Sequence, residues 1–512
     1  MMVAVAMTVA ACTSGAAADV IAVRSDTAPT VDTAPPTTAT PTTAPTPTTE
    51  PDPVGPTSTA PTDAGPDETQ PDAASGEDGL GDVLFPDLGN PGVDVVNYAL
   101  DLAYDPDNDL VEGSVLLTID VTDTRSNFTL DSAGPEVSAV TVDGEEAPFD
   151  HDGPELRISP AGGVAEGTRI DVLVEYSVIT GRAESVSGLV SGWSPTPGGS
   201  VVFNEPDGAR TWLPSNDHPS DKATWTISLT VPTGTTAVAN GALENSVDSP
   251  EGSTWVWRED DPMPTYLVLL VTGDYELITG AGPNGVPLLS AVLRSDRQRM
   301  QPFIDTIGLQ IDFFDDLFGP YPLDRYGLLF ADIDGGYAME TQGRSMFSRE
   351  DFVDGDLGYV QQLFLSHELA HQWFGDAVSP ATWSDIWLNE SFATYGEWMW
   401  LDHAGVSAID DEANSALTIR SEEPGNATAT PDVDEMFGFN SYAGGAVVLH
   451  ALRATIGDER FFETLRRWVA ENTGESKTTA DFTSLAAEVS GTDLDAFFDD
   501  WLFAAQLPAG FP

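Results

Sequence analysis

The chain has 512 residues, 41% of them apolar, and carries 83 acidic against 20 basic side chains, for a formal charge of −63. That length allows two or three domains with sizeable cores, while the charge excludes nucleic-acid and anionic-membrane binding, because no basic stripe is available to neutralise phosphates. The single cysteine, Cys12, excludes an intramolecular disulfide, so stability rests on packing and on any bound metal. A surface this acidic suits a salty exterior and sets up a field that attracts cations.

At the N-terminus, Met1 to Ala11 is apolar and ends in Val9-Ala10-Ala11-Cys12. This resembles the lipobox of bacterial lipoproteins, in which the chain is cut before Cys and a diacylglyceryl group is joined to its sulfur. The resemblance implies a signal over residues 1–12 and a membrane contact made only through a lipid on Cys12. It places the protein on the extracellular face of the cell membrane, or secreted. No Lys or Arg precedes the short apolar run, which points to a true start codon upstream. No other stretch approaches eighteen apolar residues, so no transmembrane helix is expected.

Residues 13–81 form the next unit, a Thr/Pro-rich linker containing "TAPPTTATPTTAPTPTTEPDP". Almost no large apolar side chain is present to offset ordering entropy, so disorder with polyproline II character is expected. About 55 such residues at ~3.1 Å each reach at most ~170 Å.

From 82 to 286, short alternating runs such as "YALDLAY", "SVLLTIDV", "RIDVLVEY" and "KATWTISLTV" are separated by Gly, Pro and Asp. Val, Thr, Tyr and Trp at period two predict an antiparallel β-sandwich domain. After 287 the spacing turns helical. Residues 295–318 place Phe303, Ile307, Ile311, Phe314 and Leu317 on one face. Further helices are predicted at 357–376, 385–403, 441–457, 459–472, 479–489 and 493–505. The fold class expected is therefore α+β multidomain: a β-sandwich followed by a mainly helical domain over 287–512.

His367-Glu368-Leu369-Ala370-His371 is the H-E-x-x-H pattern. On a helix, residues i and i+4 share a face, so two imidazoles converge on one ion. Glu368 follows the first His by ~100° and sits beside the coordination sphere, where it can take a proton from water. Imidazole and carboxylate suit one Zn2+ per chain, and a position left for water makes such a site catalytic. Glu390, eighteen or so residues on in "WLNESFATY", offers a third ligand from a second helix. Glu397 lies two turns further along the same face, placed to support a ligand.

H-E-L-A-H-Q-W-F-G followed by W-L-N-E-S-F-A resembles the M1 family of zinc aminopeptidases, whose metal ligands are His, His and Glu. The likeness covers about residues 90–505 and implies a thermolysin-like catalytic domain. It extends to Asn204-Glu205-Pro206 with Ala209-Arg210, to Ala338-Met339-Glu340 where the family carries G-A-M-E-N, and to Tyr442-Ala443-Gly444-Gly445-Ala446 for Y-x-K-G-A. The resemblance implies that Glu205 and Glu340 bind the α-ammonium of a peptide with a free N-terminus. Gly336, Ala338 and Met339 would receive the extended peptide backbone, and Tyr442 would hydrogen-bond the oxyanion. Three positions depart from the family pattern: Tyr337 for Gly, Thr341 for Asn and Gly444 for Lys. The family's long helical C-terminal domain does not follow, which predicts a more open cleft, and a monomer is expected. Two other readings stay open at this point: a thermolysin-type zinc endopeptidase, and a tethered peptide-binding lipoprotein with little catalysis.

Overall fold

The computed structural model describes residues 79–181 and 191–512. Cys12, the predicted signal and nearly all of the predicted linker lie outside the described residues.

In the N-terminal half, strand Val93–Asp105 alternates buried Val95, Tyr98, Leu100, Leu102 and Tyr104 with outward-facing residues such as Asp94, Asp101 and Ala103. Leu110–Val121 does the same with Val111, Val115, Leu117, Ile119 and Val121, the period-two pattern of a sheet packed on one face. These two strands form an antiparallel pair at the centre of an eight-stranded sheet. A four-stranded sheet built from Thr236–Ala239, Leu270–Gly273, Gly199–Phe203 and Gly192–Thr196 adds a second layer to the core they share. A three-stranded sheet of Phe128–Asp131, Glu155–Ile158 and Phe149–Asp152 completes it. One pairing departs from the antiparallel expectation: Val93–Asp105 runs parallel to Ala223–Val231, with Asn97 opposite Thr224. A parallel neighbour requires a long crossover, and the intervening strands supply it.

The C-terminal half opens on a five-stranded mixed sheet, in the order Tyr275–Ala281, Pro287–Leu293, Leu328–Ala331, Ser345–Ser348 and Ala338–Met339. Ala338–Met339 is its edge strand, paired on one side only, with Phe347 and Met346. Nine α-helices follow among the described residues: α1 Arg297–Ile304, α2 Ile307–Phe318, α3 Tyr359–Ala370, α4 Trp387–His403, α5 Ile409–Glu422, α6 Ala443–Ile456, α7 Asp458–Asn472, α8 Thr479–Ser490 and α9 Asp495–Trp501.

The single helix expected over 295–318 is two. Pro302 lies inside α1, and the Thr306 hydroxyl turns back onto the carbonyl of Phe303 at 2.7 Å, so the hydrogen-bond ladder is interrupted at 305–306. Phe303, Ile307, Ile311 and Phe314 are buried as expected, but Phe318, not Leu317, completes the inner face. Helix α5 was not anticipated. It buries only Ala413, Ala416, Leu417 and Arg420, too little apolar bulk for a periodic signal. Its first turn holds Asp410, Asp411 and Glu412, which the positive end of the helix dipole favours.

Helices α3 and α4 approach closely because Gly396 faces Ala370, where an added Cβ would come within 2.8 Å of the alanine methyl. That contact sets the helices that carry His367, His371 and Glu390 face to face, over an aromatic floor of Phe314, Phe318, Trp373, Phe374 and Phe392. Each such ring, buried, contributes roughly 2–3 kcal/mol.

A short strap, residues 79–92, crosses both halves. The Asp82 carboxylate accepts the amides of Leu84 and Phe85 and, at 2.6 Å, that of Trp383 in the loop preceding α4. Phe85 packs edge-on against Trp383, while Asn90 bonds Asn216 and Asp131 of the β half.

Candidate active site

His367 and Glu368 end α3, and His371 caps it. Glu390 lies in the first turn of α4. The packing of these helices brings three donor atoms into a small triangle: His367 Nε2 to His371 Nε2 is 3.0 Å, His367 Nε2 to Glu390 Oε2 is 3.3 Å, and His371 Nε2 to Glu390 Oε2 is 3.4 Å. Donors held at about 2.0–2.1 Å around one tetrahedral zinc ion stand roughly 3.3–3.4 Å apart, so the triangle fits that ion. Two neutral imidazoles and a carboxylate are also the donor set zinc favours. All three side chains are buried.

Each imidazole is oriented from behind. His367 Nδ1 faces Glu397 Oε2 at 3.1 Å, and His371 Nδ1 faces the Phe374 carbonyl at 3.1 Å. Both partnerships present Nε2 to the ion. Glu397 thus stands behind His367, whereas the Phe374 carbonyl carries no side-chain signal to find. Burial opposes ionisation of Glu390, but the two histidines outweigh it and hold its pKa at about 2.

Beyond the triangle lies a concentration of carboxylates. Ligand atoms of Glu205, Glu340 and Glu390 lie within 4.8 Å of one another, as do those of Glu340, Glu368 and His371. Glu205 Oε1, Glu340 Oε1 and Glu368 Oε2 are buried without a hydrogen-bond partner among the described residues. Orphaned buried acceptors are costly, and here three converge on a space that calls for a cation and for water protons. Burial pushes Glu368 up to about 8, against the opposing pull of both histidines. Burial likewise raises Glu205, with Glu340 adding to the effect.

Tyr442 stands at the start of α6, its ring nearly parallel to that of His367 at 6.0 Å. Burial and then the field of Glu390, Glu205, Glu340 and Glu368 hold its phenol well above the ordinary value, so it stays protonated and able to donate.

Ala338 and Met339 form the free edge beside this cluster and leave one row of backbone groups to pair with an extended chain. The Gly336 amide donates to Asp351 Oδ2 at 2.7 Å, so it is not available to a peptide backbone. Gln372, overlooked in the sequence, fixes this segment by donating to the Glu340 carbonyl at 3.0 Å and accepting from the Gly343 amide at 2.8 Å. Its position directly after the H-E-x-x-H run was the available signal.

Two of the departures have local explanations. Thr341 is buried and donates to the Arg344 carbonyl, closing a turn. At Gly444 a Cβ would meet Arg420 Nη1 at 2.7 Å and Asn440 Oδ1 at 2.7 Å, so a guanidinium from α5 fills the space a side chain there would take.

Residues 304–501 match the peptidase family M1 domain, and residues 95–267 match the peptidase M1 N-terminal domain. A solved M1 zinc metallopeptidase from Deinococcus radiodurans is 30% identical with a TM-score of 0.77, over 84% of this chain and 98% of its own. The chain belongs to peptidase family M1. A mutant of the Deinococcus enzyme solved with a bound Tyr-Ser-Ala substrate is 29% identical over 84% of this chain and 98% of its own, again at a TM-score of 0.77. Among curated relatives, a probable aminopeptidase 2 of Sulfurisphaera tokodaii is 26% identical over 80% of this chain and 53% of its own length. An aminopeptidase N of Haemonchus contortus is 30% identical over 67% of this chain and 36% of its own. The chain thus spans about half the length, or less, of these curated relatives. The β half and helical half of this M1 peptidase correspond to the two matched domains in the expected order.

Proposed function

We propose that the protein is a zinc aminopeptidase that removes N-terminal residues from peptides. The observation that carries this reading is the set of unpartnered carboxylates of Glu205 and Glu340 beside the His367–His371–Glu390 triangle. An endopeptidase has no use for a buried anionic pair at that place, whereas a free α-ammonium satisfies both orphaned oxygens and fixes the first residue one bond from the reacting carbonyl.

His367, His371 and Glu390 would hold zinc, which when bound would supply a Lewis acid to polarise the scissile carbonyl and lower the pKa of water. Glu368 accepts a proton from the attacking water and returns it to the leaving amine. Tyr442 donates its phenol hydrogen to the oxyanion as the carbonyl becomes tetrahedral. The Ala338–Met339 edge pairs with the substrate backbone and sets its direction.

The test is a comparison of free and N-acetylated peptides with zinc-loaded protein. Cleavage confined to the free peptides supports the reading; equal cleavage of the blocked peptides would return it to an endopeptidase. A protein that cleaves neither, with zinc bound, would be a peptide-binding module.

We also propose that the chain acts as a monomer at the outer face of the membrane, anchored by a lipid on Cys12. The Val9-Ala10-Ala11-Cys12 run supports the anchor. Metabolic labelling with a fatty-acid probe, lost in Cys12→Ser, tests it; label retained in that variant would overturn it. Light scattering of the purified protein tests the monomer.

A further inference from the structure

The function proposed above leaves open how the side chain of the first substrate residue is selected. With its ammonium between Glu205 and Glu340 and its carbonyl at the metal triangle, that side chain must project into the remaining wall of the pocket. The wall is identifiable. Strand Gly199–Phe203 ends two residues before Glu205, and Phe203 is buried at its end. The Tyr337 ring stands edge-to-face on Phe203, with centroids 4.9 Å apart and planes at 86°. Tyr337 is half-buried, its ring packed over Phe203, and the pair stands next in sequence to both carboxylates of the ammonium site, Phe203 two residues before Glu205 and Tyr337 three before Glu340.

Its position is fixed from several sides. The Tyr337 carbonyl accepts the Ser348 amide at 2.8 Å, and Asp351 ties down the preceding Gly336 amide at 2.7 Å. The next residue, Ala338, begins the edge strand. Burial, and after it the negative field of Glu205, Glu340 and Glu368, holds the Tyr337 phenol well above its ordinary value.

We propose that Tyr337 is a specificity-determining residue, its ring closing off the pocket that takes the N-terminal side chain and restricting it to small residues. This inference rests on the aminopeptidase reading. On this inference a pocket bounded by the aromatic pair admits Ala, Ser or Gly and rejects Leu, Phe or Tyr by overlap. Discrimination by steric exclusion of a few carbons is worth one to two orders of magnitude in kcat/KM.

The experiment measures kcat/KM for a panel of aminoacyl fluorogenic substrates with the zinc-loaded full chain, its Tyr337→Ala variant and its Tyr337→Phe variant. Alanine removes the ring without adding the backbone freedom of glycine; melting temperature and zinc content report whether each variant is folded. The expected result is a wild type that prefers Ala over Leu and Phe. Tyr337→Ala should raise the ratio of Leu or Phe to Ala at least tenfold, and Tyr337→Phe should keep the wild-type ratio. An unchanged ratio in folded Tyr337→Ala overturns the proposal, as does a wild type that prefers large residues. If Tyr337→Phe shifts the ratio as far as Tyr337→Ala, the hydroxyl is responsible and the steric account falls. Should Tyr337→Ala fail to fold, the Tyr337→Phe profile and the wild-type preference still decide. Wild type inactive on every free-amine substrate is a distinct outcome, which sinks the aminopeptidase reading and this inference with it.

Discussion

Glu397 Oε2 lies 3.1 Å from His367 Nδ1, on the side of the ring away from Glu390. The carboxylate fixes the tautomer that leaves Nε2 free for metal and increases its basicity. Glu397→Gln keeps the shape but weakens that hold. Zinc affinity, read by competition with a chromogenic chelator, should fall 10–100-fold, with activity recovered at excess zinc. Unaltered affinity would leave Glu397 a packing residue only.

Glu368 has no ligand role in the donor triangle, so its loss should separate binding from chemistry. Glu368→Gln is expected to retain one zinc per chain while kcat drops 10²–10⁴-fold. Loss of the metal together with activity would place Glu368 among the ligands.

In the proposed mechanism Tyr442 acts on charge that appears only as the carbonyl becomes tetrahedral. Tyr442→Phe should therefore lower kcat about 10²–10³-fold with little change in KM. An effect confined to KM would assign the phenol to ground-state binding.

Far from the metal, Asp221 is buried beneath the β half, accepting from the Val95 amide and from Asn216. Burial pushes its pKa from 3.8 up to about 8. The folded chain keeps a proton there that the unfolded chain releases, so this group's stabilisation is complete below about 4 and is lost as pH rises towards 8. The slope is at most ~1.4 kcal/mol per pH unit. Asp221→Asn should flatten the fall in melting temperature between pH 5 and pH 8 relative to the parent. Parallel curves for the two proteins would show that Asp221 does not titrate in this window.

Much of the site could be read from the chain because its parts lie at helical spacing. His367, His371, Glu390 and Glu397 sit on two helices whose periodicity fixes which face each occupies, and the structure brings them together as that spacing implied. Glu205 and Glu340 were found only by likeness to a family, since no local pattern distinguishes a buried glutamate from one in a solvated turn. Gln372 and Arg420 carry no local signal for a related reason, since their partners Glu340 and Gly444 lie on elements distant in sequence; the Phe374 carbonyl, three residues from His371, is a backbone group that no side-chain pattern marks. In the fold, strong apolar periods located most helices, while α5, built on alanines, gave no such signal. The break at 305–306 depended on a side chain returning to its own backbone, which a periodicity argument passes over.

The strap of residues 79–92 has a practical consequence for anyone dissecting this molecule. The matched N-terminal domain begins at residue 95, and a fragment cut there would keep every residue assigned to chemistry. It would also strip Asp82 from the Trp383 amide and Phe85 from the Trp383 ring, baring the loop from which the Glu390 helix starts. The smallest working enzyme is therefore expected to begin some fifteen residues ahead of its recognisable domain, where the strap itself starts.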